Sequence, residues 1–112
     1  MENNRQNKVS RLIQRELGEV FRAESRNLFD GAMISVTKVG VTRDFSLARV
    51  YLSIFATTDK TDVFEKVNFN RNYIRKLLGN SIGKQVRVIP ALEFFIDDSL
   101  DYIENIEKLL KQ

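Results

Sequence analysis

A chain of 112 residues, 43% hydrophobic and 29% charged, is long enough for one domain with its own core and too apolar to stay disordered. It has no cysteine and no histidine, which removes disulfides, thiolate metal sites, the commonest metal ligand and the commonest general base. Net charge is only +3, no apolar run approaches the ~18 residues of a membrane span, and Met1 to Arg5 lack the apolar stretch of a signal peptide. The expectation is a cytoplasmic, non-enzymatic domain with no metal, cofactor, small-molecule substrate or membrane partner.

Residues 4–25 read as one long helix. Val9, Leu12, Ile13, Leu17, Val20 and Phe21 recur at 3-and-4 spacing and form one stripe at ~100° per residue. Lys8, Arg11, Arg15, Arg22 and Arg26 cluster on the opposite side by the same step, a basic rail partly offset by Glu16 and Glu19. Residues 33–42 and 47–56 read as strands. In the second, Ala48, Val50, Leu52 and Ile54 alternate with Arg49, Tyr51, Ser53 and Phe55, the period of a sheet with two unlike faces. In the first, the alternation slips at Lys38, where a bulge fits. Between them, Thr42 to Ser46 carry turn chemistry, and Asp44 can accept from its own following backbone, so the strands are expected to pair as an antiparallel hairpin.

Thr61 is the expected N-cap of a helix running to about Leu78 on Val63, Val67, Ile74, Leu77 and Leu78. Gly79 and Gly83 follow. Each costs ~1 kcal/mol relative to alanine in a continuing helix, so a break or kink is expected there. Pro90 marks the start of a third strand, 91–96, with Leu92, Phe94 and Ile96 on one side and Glu93 and Phe95 on the other. Asp97-Asp98-Ser99 then caps a last helix packed through Leu100, Ile103, Ile106, Leu109 and Leu110. The order α-β-β-α-(kink)-α-β-α describes a single α+β domain over 1–112, a three-stranded sheet with helices on one face. Its αββααβ portion is the order of the second type of KH-like domain.

Charge is unevenly placed. From Lys66 to Leu92 there are six basic residues and no acid, whereas Glu93 to Gln112 hold six acids against Lys108 and Lys111. A basic side attracts polyanions, above all nucleic acid. Arg71, Arg75, Lys76, Lys84 and Arg87 are the first candidates for RNA contact, since arginine offers phosphate a bidentate fork and lysine a point charge. The first-helix rail of Lys8, Arg11, Arg15 and Arg22 is the second candidate. The plainer account of both is a solvated surface, but so long a stretch without an acid is more than solubility requires. Arg75 has a further alternative, an internal ion pair with Asp97 or Asp44. Tyr51, Phe55, Phe94 and Phe95 are expected to serve the core more than to stack on bases. Asp97-Asp98 reads as a helix cap before a Mg²⁺ site.

Several stretches resemble one known family. They are Asn7-Lys8-Val9 through Glu16-Leu17, Met33 to Thr37, Val41-Thr42-Arg43-Asp44-Phe45-Ser46-Leu47-Ala48-Arg49-Val50-Tyr51-Leu52-Ser53, Tyr73-Ile74-Arg75-Lys76-Leu77-Leu78-Gly79, Val88-Ile89-Pro90-Ala91-Leu92-Glu93-Phe94 and Asp97-Asp98-Ser99. In that order, over about Asn4 to Lys111, they look like ribosome-binding factor A. The resemblance implies a KH-like fold, binding to the free small ribosomal subunit and its rRNA, and a part in late subunit maturation and rRNA processing, most needed in the cold; a monomer is expected. Members lack the Gly-x-x-Gly backbone clamp of ordinary KH domains and show an Ala-x-Gly kink. Ser81-Ile82-Gly83, following Gly79, is the expected counterpart, with serine for alanine. The chain stops after its last helix, so contacts made by the long charged tail of some relatives are not expected. The competing class is a protein-interaction or dimerising α+β module without an RNA role.

Overall fold

The apolar stripe of the first segment is realised as α1, Asn4–Leu28, in a computed structural model that describes residues 4–97. Ile13, Leu17 and Phe21 are its buried apolar residues, with Gln6 and Ser10 buried beside them. The helix continues past the expected end at residue 25 because Leu28 and Phe29 also pack on the core. It stops where Asp30 and Gly31 take positive φ, 52° and 82°. There the Gly31 N–H donates to the Ser25 carbonyl at 3.0 Å and the Ser25 hydroxyl to the Ala32 carbonyl at 2.7 Å.

Strands β1, Met33–Val41, and β2, Leu47–Phe55, form the expected antiparallel hairpin. Pairing passes from Val36↔Leu52 to Lys38↔Tyr51, so Thr37 is the extra residue of the bulge that the slipped alternation announced. The turn is built on Asp44. Its carboxylate accepts from the Ser46 hydroxyl at 2.7 Å, the Thr42 hydroxyl at 2.9 Å and the Ser46 N–H at 3.1 Å. These donors, the Ser46 hydroxyl first, hold the Asp44 carboxyl below its ordinary pKa.

The next helix differs from expectation at both ends. Its N-cap is Asp59 and not Thr61, the Asp59 carboxylate accepting from the Asp62 N–H at 3.0 Å. The break lies at Asn70, between α2, Lys60–Phe69, and α3, Arg71–Ile82. Asn70 leaves helical geometry at φ −95°, ψ 13°, and its side-chain amide donates to the Lys66 carbonyl at 2.8 Å. The Asn70 backbone N–H donates to the same carbonyl at 3.0 Å, so the side chain adds a second bond at the helix end, chemistry the glycines do not offer. Gly79 and Ser81 are inside α3, and Gly83, in right-handed helical geometry, is its C-cap. A Cβ on Gly79 would make only an ordinary contact with Ile89 at 3.5 Å, and this glycine does not interrupt the helix.

Strand β3, Ala91–Ile96, pairs parallel with β2, giving the order β1-β2-β3. The described helices bury Val63, Val67, Ile74, Leu78 and Ile82, with the α1 stripe, against Ile34, Val36, Val39, Val41, Ala48, Val50, Leu52, Ile54, Leu92 and Phe94 on one face of the sheet. The helix expected after Asp97 lies outside the described residues.

Candidate nucleic-acid interface

All nine residues predicted to contact RNA are exposed. The fold sorts them into separate places. Lys8, Arg11 and Arg15, one turn apart on α1, line a shallow groove of about 560 Å³ whose opposite wall is Gln85 and Val86. Lys84 and Arg87 flank that wall in sequence and are exposed, so the segment that bears them packs beside the basic side chains at the N-terminal part of α1. The docking of α3 on α1 makes the meeting possible, and the Ser81 hydroxyl donates to the Glu16 carboxylate at 2.7 Å where the two helices touch.

Few of these cations are neutralised. Arg15 pairs with Glu16 at 3.3 Å, and Arg22 pairs with Glu19 one turn away. Both are surface pairs, worth under ~1 kcal/mol and readily exchanged for a phosphate. Among the described residues Lys8, Arg11, Lys76, Lys84 and Arg87 have no carboxylate partner. Lys66 is different. Asp30 and Asp62 hold its ammonium and raise its pKa, so it belongs to an ion-pair cluster and not to the basic surface.

Arg71 and Arg75 line a second groove with Leu47, Asn72, Ala91 and Glu93. There the internal ion pair offered as the alternative for Arg75 does not form. Its guanidinium donates to the Ile89 carbonyl at 2.6 Å and the Pro90 carbonyl at 3.0 Å. It pairs with neither proposed acid, since Asp44 is engaged in its turn and Asp97 accepts from the Thr37 hydroxyl at 2.7 Å. Arg75 therefore fastens α3 to the start of β3. Lys76 stands on the solvent side of α3 and lines neither groove.

The aromatic residues also divide. Phe94 is core, 5% exposed and edge-to-face with Phe21 at 6.1 Å. Tyr51, Phe55 and Phe95 are on the sheet face that no described helix covers, contrary to the core expectation. Tyr51 and Phe95 stack on each other at 5.2 Å with Lys38 5.9 Å from the Tyr51 ring, and Phe55 is 43% exposed. The alternation of β2 already carried this signal, because Tyr51 and Phe55 share the phase of Arg49 and Ser53.

Among the described residues no group of three or more acidic, histidine or cysteine side chains could hold a metal ion. No described helix is long and apolar enough to cross a membrane. The geometry offers guanidinium and ammonium groups without a carboxylate partner among the described residues, on α1 and on the segment after α3, and such charge attracts polyanions.

Comparison with known proteins decides the family. The model of the family described as ribosome-binding factor A matches residues 5–110. The chain belongs to the ribosome-binding factor A family. Ribosome-binding factor A of Cytophaga hutchinsonii is 42% identical over 112 residues, all of this chain and 84% of that one. The Flavobacterium johnsoniae family member is 44% identical over 111 residues, 98% of this chain and 85% of that one. In three dimensions, the crystal structure of ribosome-binding factor A from Thermus thermophilus superposes with a TM-score of 0.68 at 19% identity, over 81% of this chain and 94% of that one. A Thermus thermophilus homology model fitted to a cryo-EM map of a 30S–RbfA complex superposes with a TM-score of 0.62 at 23% identity, over 78% and 89% of the two chains. The fold is the KH-like fold of this family.

Proposed function

We propose that this protein binds the free small ribosomal subunit through its rRNA and assists late maturation and rRNA processing, a role in greatest demand in the cold. It acts as a single-domain monomer in the cytoplasm and performs no chemistry on its partner. Support for the partner comes from family membership and from the 30S–RbfA complex of a structural neighbour. The observation that carries the surface is the convergence of Lys8, Arg11 and Arg15 with the segment bearing Lys84 and Arg87. Arg22 continues the rail further along α1. Arg71 and Lys76 are peripheral in this proposal, and Arg75 acts by holding the fold.

Positive charge without a paired acid attracts rRNA phosphates and releases their counterions. Family members in general replace the Gly-x-x-Gly clamp with a kink. Here the break is at Asn70, with Arg71 and Asn72 immediately after it, so a peripheral rRNA contact there would be made by side chains in place of a glycine loop.

Co-sedimentation tests the proposal. The protein is expected to travel with isolated small subunits and not with joined ribosomes. Changing Lys8, Arg11, Lys84 and Arg87 to glutamine is expected to weaken that association by at least ~10-fold while thermal melting stays close to wild type, because exposed substitutions shift stability by only about ±0.5 kcal/mol each. Unchanged sedimentation of the folded variant would remove this surface from consideration.

A further inference from the structure

The outer edge of β1 is covered along most of its length by a ladder of α1 side chains. The Gln6 amide donates to the Val41 carbonyl at 3.0 Å, and the Ser10 hydroxyl accepts from the Val41 N–H at 3.3 Å. The Gln14 amide donates to the carbonyls of Val36 and Thr37 at 3.2 and 3.3 Å. At the far end the Ser25 hydroxyl takes the Ala32 carbonyl at 2.7 Å. An exposed sheet edge is a template for another strand, and this ladder blunts it.

Between Gln14 and Ser25 the ladder is interrupted. Where the next rung after Gln14 would stand, α1 carries Gly18, and a Cβ there would meet nothing within 4 Å. Because the Val36 carbonyl faces away from β2 toward Gln14, the two-residue alternation of an antiparallel strand turns the N–H and C=O of Ile34 and the N–H of Val36 outward as well. These three groups have no hydrogen-bond partner among the described residues. They open into a groove of about 880 Å³ between α1 and β1.

From this gap we infer that β1 accepts an added strand, an extended segment of a partner protein whose side chains alternate acidic and apolar. Donor and acceptor lie side by side on Ile34, which matches a peptide backbone and not a phosphate, since a phosphate only accepts and would meet the Ile34 carbonyl head on. Side chains of an added strand alternate between the two faces of the sheet. Those on the helix side meet Arg15, Arg22 and Arg26 against the single acid Glu19, which favours carboxylates. Those on the open side meet Met33, 54% exposed, and Phe55, which favours apolar residues. The absent side chain at Gly18 supplies the room. This site adjoins the groove proposed for rRNA, since Arg15 lines both, but Gly18 and the Ile34 edge belong to this one alone.

The test uses the full chain and an eight-residue peptide of alternating valine and glutamate, with an alternating valine–lysine peptide and a single-stranded RNA as competitors for the same place. Slow hydrogen exchange at the Ile34 and Val36 amides is expected only with the valine–glutamate peptide. Gly18→Gln adds the missing rung at a position with space for it, and replacing a helical glycine favours the helix. That variant is expected to melt no lower than wild type, to bind small subunits as wild type does, and to lose at least tenfold in peptide affinity. Gly18→Ala leaves the gap open and is expected to keep peptide binding within twofold. Peptide affinity undiminished in Gly18→Gln overturns the inference. So does equal binding of the lysine peptide, protection of these amides by RNA alone, or no protection with any ligand.

Discussion

Single side chains here hold backbone more often than they hold other side chains. Arg75 is the clearest case, because the sequence motif around it resembles a binding feature and the geometry shows a fastener on the Ile89 and Pro90 carbonyls. Arg75→Gln is expected to cost about 1–2 kcal/mol in chemical denaturation, the loss of charged hydrogen bonds at a partly exposed site. Its small-subunit affinity at temperatures well below melting is expected to stay within twofold of wild type. An affinity loss without a stability loss would make Arg75 an RNA contact instead. Asp44 gives a pH-dependent case. Its carboxyl is held below the ordinary value of 3.8 by Ser46 and Thr42, so the folded state prefers the carboxylate. Stability from this source is present above that ordinary value and is lost as pH falls through the lower folded value. Asp44→Ala is accordingly expected to lower Tm at pH 7, with the gap to wild type narrowing as the solution is acidified below pH ~4, where the wild-type carboxylate itself protonates. A gap that is the same at neutral pH and in strong acid would show that the turn does not depend on the ionised form.

At the scale of elements, the helices are unequal partners of the sheet. α1 buries five residues and α3 three, whereas α2 buries only Val63 and Val67. Less buried apolar surface means a lower local opening free energy, so α2 amides are expected to exchange faster than those of α1 and α3 in native-state hydrogen exchange. Equal protection across the helices would show that α2 opens only with the whole domain. The division at Asn70 belongs to this scale too. In the sequence the apolar spacing of Val63, Val67, Ile74 and Leu78 runs past Asn70, and the two glycines further on mark the break. The asparagine wins because its side chain reaches the Lys66 carbonyl, while Gly79 continues α3, which runs on to bury Ile82. The N-cap moved from Thr61 to Asp59 for a similar reason, since either side chain can cap and only the path of the preceding loop chooses between them.

For the whole molecule, the pairing of α1 with the segment after α3 predicts a measurable salt dependence. The quadruple glutamine variant at Lys8, Arg11, Lys84 and Arg87 is expected to flatten the log–log salt slope of small-subunit binding by about 0.7 to 0.9 for each phosphate that is no longer neutralised. The double variant at Arg71 and Lys76 is expected to flatten it by less per charge removed. Equal flattening per charge would mean a diffuse attraction with no preferred face. Much of this protein was legible in its residues: the αββααβ order, the hairpin on Asp44, the bulge near Lys38, the helix stripe of Ile13, Leu17 and Phe21, the basic rail, and the motif order that resembles ribosome-binding factor A. These follow from local periodicity, turn chemistry and motif order, which one stretch of chain contains by itself. The tertiary structure alone decided that β3 lies parallel beside β2, that Gln85 and Val86, between Lys84 and Arg87 in sequence, face Lys8 and Arg11 across a groove, that Arg75 faces carbonyls, and that Tyr51 and Phe95 share the uncovered face. Each of these depends on which residues distant in sequence become neighbours. That choice is set by burying one common apolar face between sheet and helices, which no single segment encodes.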